Sequence, residues 1–397
     1  MNGHRYLILK SSVFIFIKGN KCLLYNSEDT VKLFISDERT VYFFLNQRIE
    51  LNNVFEINNL ISEKTLKTIV DSQMGHVEQN TLPPFQPSPM PVLNFTDKGG
   101  VKDELSPVEK RLNNWASNIF SIEIILNDEV VRQGNADLNE TILDNDAVIR
   151  FLSNIGNLSK LKSLEFVCHH PIESYELAKL ISHFSKEVPR LSIFLRVQYE
   201  NWLGQETILS WCFKALSQLK NLRFRFDINR NCYNDYVEFV KQNKLEKSLC
   251  SSVLSVTSEK DLKTNKQYVD DITPVYDFSN HDFFQKFVFL NTHDLQNLSP
   301  SKNEIYRNMI LNSNYFGRLL INANGDILTR KKGKVLGNIY VEKNIISFID
   351  KKGNKVGDWL LTRGKVKPCS DCLFCYLCPP VSDYEFDFHR FNLCDHE

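Results

Sequence analysis

The chain has 397 residues, and its 48 Lys+Arg balance 48 Asp+Glu, giving a formal net charge of zero at pH 7. That balance supplies no global basic field for nucleic acid. With 42% hydrophobic residues, 28 Phe and 14 Tyr, the composition is that of an ordered globular protein, long enough for two or three domains and a substantial core.

The opening MNGHRYLILKSS has a short apolar run but neither a long apolar segment nor a cleavage-site pattern. VFIFI, Val13 to Ile17, is far too short to span a bilayer. A soluble, cytoplasmic protein is the expectation, with no membrane or nucleic-acid partner. In that compartment clustered cysteines bind metal more often than they form disulfides.

Residues 1–82 read as a small domain of strands and helices. Val13 to Ile17 and Lys21 to Tyr25 are β-rich and joined by Gly19-Asn20, a hairpin signal. Val31 to Ile35 reads as a third strand. Asp37-Glu38 open a helical pattern with Val41, Phe44, Leu45 and Ile49 on one face. Ser62 is a good N-cap for a helix expected over Glu63 to Gln79. Residues 83–108 read as a linker. Pro83, Pro84, Pro87, Pro89 and Pro91 favour extended, semi-rigid chain, and Gly99-Gly100 follow.

Over 109–312, strand-like runs alternate with helical patterns. Strands are expected at Phe120 to Leu126, Leu164 to Val167, Leu191 to Val197, Leu222 to Ile228, Ser252 to Val256 and Phe287 to Leu290. The helices between them fall at Thr141 to Ile155, Glu173 to Lys186, Thr207 to Leu219 and Asp235 to Gln242. Repeated strand–helix units imply a parallel sheet of α/β type. Cys168-His169-His170 end one of these strands. Neighbouring residues on a strand point to opposite faces, so the trio does not readily ligate one ion. No G-x-G-x-x-G, phosphate-binding loop or Ser/His/Asp arrangement stands in a recognisable context.

The last segment, 313–397, carries the strongest chemical signal. Half of the ten cysteines lie in PCSDCLFCYLCPPVSDYEFDFHRFNLC, at Cys369, Cys372, Cys375, Cys378 and Cys394. A C-x2-C pair aims two sulfurs at one point, and two further thiolates close a cage for tetrahedral zinc or an iron–sulfur cluster. Two four-cysteine sets are open. One is Cys369, Cys372, Cys378 and Cys394; the other takes the four consecutive cysteines, with Cys375 in place of Cys394. The first is sterically easier. His389 and His396 read as surface residues beside the cysteines. Arg330, Lys331, Lys332 and Lys334 read as a solvated turn. Trp359 and Arg363, in DWLLTRGK, are candidate supports of the cysteine loop, and Tyr384-Glu385 are candidate anchors.

C-x2-C-x5-C followed by a later cysteine resembles the C-terminal auxiliary-cluster region, called SPASM, of radical S-adenosylmethionine peptide maturases. On that resemblance Cys369, Cys372, Cys378 and Cys394 hold one auxiliary 4Fe–4S cluster, and Cys375 has no counterpart. The stretch YFGRLLINANGDILTRKKGKVLG, Tyr315 to Gly337, resembles the family's strand–turn–strand entry. Where the family has the first auxiliary cluster's cysteines, this chain has Thr329 or Arg330, Glu342, and Val381-Ser382, so the resemblance implies that this cluster is lost. It also implies that 109–312 form a partial (β/α)6 barrel and that 1–82 form a winged-helix-like, leader-recognition-like domain.

The same family carries C-x3-C-x2-C after its first barrel strand, three thiolates that hold the cluster binding S-adenosylmethionine. Here Leu126 is followed by NDEVVRQGNADLNE, and no cysteine lies between Cys22 and Cys168. Carboxylates or amides do not replace three thiolates at such a cluster. The chain therefore resembles pseudo-radical-SAM proteins of Bacteroidales-type peptide-maturation systems, which accompany a true maturase and a small precursor peptide. The expectation is a non-catalytic partner with one 4Fe–4S cluster and no S-adenosylmethionine. The alternatives are a redox-active electron-relay protein and a zinc-binding interaction module.

Overall fold

This computed structural model describes residues 4–47, 52–89, 118–127, 142–216, 218–245, 249–263, 268–352 and 357–394. Packing divides the chain into two units: Met1–Pro107 with Phe289–Asn314 and Leu360–Glu397, and Val108–Val288 with Tyr315–Trp359. The linear segments read from the sequence run in a different way. Residues 289–312, which follow the last strand–helix repeats, pack with the first unit, as does the cysteine loop.

The first unit begins with strands β1 (His4–Leu9), β2 (Val13–Lys18), β3 (Lys21–Asn26), β4 (Lys32–Ile35), β5 (Val54–Glu56) and β6 (Gly75–Asn80). They form two antiparallel sheets, β5-β1-β6 and β2-β3-β4. The expected hairpin about Gly19-Asn20 forms, joining β2 to β3. Residues 13–17 of β2 and 22–25 of β3 are apolar because both faces of these strands are covered. Side chains alternate along a strand. Val13, Ile15, Cys22 and Leu24 therefore enter one core with Val41, Phe43, Phe44, Leu66 and Ile69. Phe14, Phe16, Leu23 and Tyr25 enter another, built with Leu295, Ile305, Leu373, Phe374 and Leu377.

Three features of this region depart from the sequence reading. The short apolar run at the start, given no element there, is β1, the central strand of its sheet. The helix capped by Ser62 does form, with Ser62 accepting from the Thr65 N–H, but it stops at Asp71. Gln73 turns into the left-handed region and the chain re-enters as β6 from Gly75, where a Cβ would lie 2.3 Å from the Ile8 carbonyl oxygen. The helical spacing of Leu66, Ile69 and Val70 thus ends where pairing with β1 takes over. The face of the Glu38–Gln47 helix also differs: Thr40, Val41, Phe43 and Phe44 are buried, Leu45 is exposed, and Ile49 lies outside the described residues.

Up to Pro89 the proline stretch has no helix or strand, only an isolated bridge between Pro87 and Asn52. It is pinned by Asn53 N–H to the Gln86 carbonyl at 2.8 Å and by the Tyr306 hydroxyl to the Pro89 carbonyl. Residues 90–108, including Pro91 and Gly99-Gly100, lie outside the described residues.

The second unit holds one nine-stranded sheet. Its strands are β7 (Ser121–Asn127), β8 (Ser163–Cys168), β9 (Ser192–Gln198), β10 (Leu222–Asn229), β11 (Cys250–Val256), β12 (Asp271–Pro274), β13 (Arg318–Ile321), β14 (Asp326–Leu328) and β15 (Gly337–Asn338), in the order β12-β11-β10-β9-β8-β7-β13-β14-β15. β7 to β12 run parallel in chain order, β13 joins β7 in parallel, and β14 and β15 are antiparallel. This is the mixed α/β architecture that the strand–helix repeats imply, with a large, mostly parallel sheet. The helices Ser174–Glu187, Glu206–Leu216 and Tyr233–Gln242 fall where their patterns place them, and the first spans Asn145–Phe151. The sixth parallel strand is Asp271–Pro274. Phe287 to Leu290, read as a strand of this set, is not one: the His281–Phe287 helix ends there, and Leu290 instead bridges Cys394 in the first unit.

The two faces of the parallel sheet differ. On one, Phe166 lies against Phe184 at 5.9 Å and Phe224 stacks on Phe213 at 3.8 Å. The alternate residues are charged: Arg196 pairs with Asp227 at 2.6 Å and Arg225 with Glu165 at 2.9 Å. A parallel sheet buried on both faces reads as continuous apolar runs. These strands alternate because only one face is apolar. Among the described residues no helix is long and apolar enough to cross a membrane.

Phe14 is wholly buried in the core shared with Leu373, Phe374 and Leu377. Phe14→Ala is expected to lower stability by about 3–5 kcal/mol, measured by urea unfolding followed by circular dichroism.

Candidate metal centre

The cysteine loop has little regular structure of its own, so its shape is imposed by side chains that bind its backbone. The Lys302–Ile310 helix starts at Ser301, whose hydroxyl and Glu304 form a capping box. Near its end Asn308 donates from Nδ2 to the carbonyls of Tyr376 and Cys378, both at 3.1 Å. Just beyond it, Asn312 Nδ2 donates to Leu361 O at 3.1 Å and Val381 O at 2.9 Å, and Asn314 Nδ2 to Val381 O at 3.0 Å. The three asparagines were not singled out in the sequence, yet together they hold the loop at Leu361, Tyr376, Cys378 and Val381.

Arg363 is the second organiser. It is 8% exposed. Its Nε donates to Pro379 O, its Nη1 to Phe391 O at 3.0 Å and to Cys369 Sγ at 3.4 Å, and its Nη2 lies 2.6 Å from Glu385 Oε1. The other Glu385 oxygen accepts from Ser382 N at 2.7 Å and Ser382 Oγ at 2.6 Å, capping the Asp383–Asp387 helix. Burial alone would weaken the Arg363 guanidinium, but Glu385, with Cys369 and Cys378, raises its pKa above the ordinary range. The sequence-read anchor role thus falls to Glu385.

The backbone of the loop is a run of tight turns. Cys372 N–H bonds to Cys369 O at 3.0 Å, Cys375 N–H to Cys372 O at 3.2 Å, and Cys378 N–H to Phe374 O at 3.0 Å. Cys394 returns beside them, held by the Leu290 N–H bond to Leu393 O at 2.9 Å. Cys372, Cys378 and Cys394 all pack against the core of Leu373, Phe374 and Leu377. Cys369 packs instead with Val366 and Val381, and burial raises the Cys369, Cys372 and Cys378 thiols. Burial pushes Cys375 up to about 12, with further contributions from Cys369 and Cys372.

The thiols are close without being closed around a point. Among the described residues no group of three or more His, Cys, Asp or Glu is gathered tightly enough to hold a metal as it stands. Cys369 Sγ donates instead to Phe391 O at 3.0 Å, a bond that metal ligation would require it to give up, since ligands must be deprotonated. In donor chemistry the set fits a four-thiolate group: four thiols in one largely buried loop, with a buried guanidinium on the first of them. Cys369, Cys372, Cys378 and Cys394 would hold it, with Cys375 as the alternate.

The other singled-out residues lie elsewhere. Trp359 is in the second unit, where Nε1 donates to Arg318 O at 3.2 Å and the ring meets Phe316 at 5.3 Å. It does not share the cysteine loop's unit, whereas Arg363 does. His389 is exposed, and His396 lies outside the described residues. Cys168 and His169 are buried at the end of β8, where Asn127 Oδ1 accepts from His169 N at 2.9 Å and His169 Nδ1 faces Gln198 Oε1 at 3.1 Å. Thr329 Oγ1 donates to Asp358 Oδ2 at 2.5 Å, Arg330 pairs with the same oxygen at 3.6 Å, and Glu342 with Lys351 at 3.2 Å. Arg330 is therefore part of an ion pair rather than of a solvated turn. A cavity of about 450 Å³ opens where β7 ends, lined by Leu126, Asp144, Asp146, Glu173, Glu176 and Lys179 among others. The loop that follows β7, residues 128–141, lies outside the described residues.

No protein-family model matches the chain. No curated protein matches it either. A solved structure described as hexahistidine-tagged anSMEcpe with bound AdoMet is similar at 12% identity with a TM-score of 0.39, over 65% of this chain and 87% of that one.

Two outcomes follow from this geometry. Asn312 is fully buried and its amide satisfies two carbonyls. Asn312→Ala is expected to cost about 1–3 kcal/mol and to speed alkylation of the loop thiols, read by mass spectrometry. In metal-free protein, Cys375 should resist iodoacetamide at pH 8 while the unfolded chain reacts. Its folded pKa of about 12 lies above the ordinary 9.0, so the stability its buried thiol contributes is complete below pH 9 and declines as pH rises toward 12. A falling unfolding midpoint across that window, reduced in Cys375→Ala, checks the sign.

Proposed function

We propose that this chain is a non-catalytic, pseudo-radical-SAM partner protein in the maturation of a ribosomally made peptide. It binds the precursor peptide, the active maturase or both, and its one metal centre is an auxiliary-type 4Fe–4S cluster on Cys369, Cys372, Cys378 and Cys394. The second unit is then a partial (β/α)6 barrel that has lost its catalytic cluster.

One observation supports the reading: the four cysteines that match the auxiliary-cluster spacing lie in one unit, three of them packed against one core, while the sequence after β7 contains no cysteine at all before Cys168. A thiolate centre is retained and the one that would do radical chemistry is missing. The proposed role of the cluster is structural. Metal–thiolate bonds would join the turns of the loop to one another and to the returning Cys394, beside the core containing Phe14 and Phe16.

Iron, sulfide and zinc content of protein purified without oxygen tests this, wild type beside Cys372→Ala. About four irons and four sulfides per chain, lost in the variant, support the cluster. One zinc and no iron moves the reading to a zinc-binding interaction module, and a reversible low-potential redox signal moves it to an electron relay. Failure to co-purify at micromolar concentration with either a cognate maturase or its precursor overturns the partner role.

A further inference from the structure

We propose that Arg363 is the positioning and charge-compensating residue of the four-cysteine centre, and that Glu385 sets how much of its charge reaches the thiolates. This rests on the four-cysteine reading above and assigns residues that the ligand spacing does not contain.

A four-thiolate site holding a divalent metal or a 4Fe–4S core keeps a net negative charge. Buried, that charge needs a partner. Arg363 is placed to supply it. One planar guanidinium touches Cys369 Sγ, the carbonyl of Pro379 directly after Cys378, and the carbonyl of Phe391 three residues before Cys394. It therefore ties the sulfur of the first ligand to the backbone near the third and fourth. A fork of five fixed donors can do this, and a lysine ammonium cannot. With Nη1 3.4 Å from Cys369 Sγ, its charge lies directly beside the first thiol.

Glu385 takes part of that charge. At 2.6 Å and 1% side-chain exposure it neutralises Arg363 in the metal-free loop, which keeps a lone buried cation from disrupting the fold before metal arrives. Once thiolates form, Glu385 competes with them for the same guanidinium. The two members of the pair therefore act with opposite sign on metal binding, although both support the fold. A purely mechanical clasp would give the same sign for both.

The experiment uses the full chain with Zn2+ alone, its affinity measured by chelator competition, and with Cd2+ alone, read by the ultraviolet absorption of cadmium–thiolate bonds. Arg363→Gln is expected to weaken Zn2+ binding about 10–100-fold. Arg363→Lys should recover part of that loss, since charge returns without the fork. Glu385→Gln, which keeps an acceptor for Ser382, is expected to tighten binding several-fold. Should Arg363→Gln fail to fold, Arg363→Lys and Glu385→Gln still decide the matter. Unchanged affinity in both, or weakening in both, overturns the charge role. If the wild-type chain binds neither Zn2+ nor Cd2+, the four-cysteine reading itself fails and this inference goes with it. Binding by the wild type with no opposition of sign overturns the inference alone.

Discussion

A buried ion pair, Arg363 with Glu385, is the interaction on which the C-terminal loop depends. The loop is a run of tight turns, each closed by local backbone hydrogen bonds, and turns of that kind do not fix how its later part folds back on its start. Order comes from one guanidinium reaching Cys369, Pro379, Phe391 and Glu385, and from one carboxylate that holds Arg363 with one oxygen and starts the Asp383–Asp387 helix with the other. Pairs of this kind add little net stability, but losing one member costs about 3–5 kcal/mol because the other is left charged and buried. The pair therefore acts mainly on specificity: it selects one arrangement of a chain that has many.

The loop is also built into the core of the first unit. Phe14, Phe16, Leu23 and Tyr25 lie on the same faces of β2 and β3 and pack with Leu373, Phe374 and Leu377. The N-terminal strands and the cysteine loop therefore share one core in this unit. Whatever binds the thiols stabilises β2 and β3 through those contacts, since a ligand that binds only the folded form shifts the folding equilibrium toward it. The second unit follows a different rule. Its parallel strands alternate apolar and charged residues, so one face packs on helices and the other carries paired charges such as Arg196 with Asp227 and Arg225 with Glu165. Where the auxiliary-cluster resemblance sets cysteines in this unit, the chain has side chains with partners of their own. Thr329 and Arg330 meet Asp358, and Glu342 meets Lys351. Each contact answers the requirement that a buried polar group be paired.

Much was legible in the sequence. The alternating strand–helix patterns foretold the mixed α/β unit and its parallel strands, because apolar periodicity is a local property that each segment displays by itself. Ser62 and the Gly19-Asn20 turn were read for the same reason: caps and tight turns are made by neighbours in the chain. The spacing of Cys369, Cys372 and Cys378 marks them as candidate ligands, with Cys394 a candidate from later in the chain.

Other features depended on tertiary contacts. Residues 75–80 left the helical pattern because β1, far earlier in the chain, offered them a pairing edge. Leu290 left the parallel sheet to lie beside Cys394. Asn308, Asn312 and Asn314 carry no motif, and nothing local marks them as clamps on a loop at least 49 positions away. By itself the sequence determined most strands and helices of the parallel sheet, the hairpin about Gly19-Asn20 and the start of the helix after Ser62, because those depend on short-range periodicity and residue chemistry. Only the tertiary structure decided that the first strands, residues 289–314 and the cysteine loop share one unit, and that Arg363 and Glu385 meet inside it, because burial and charge pairing are settled between residues far apart in the chain.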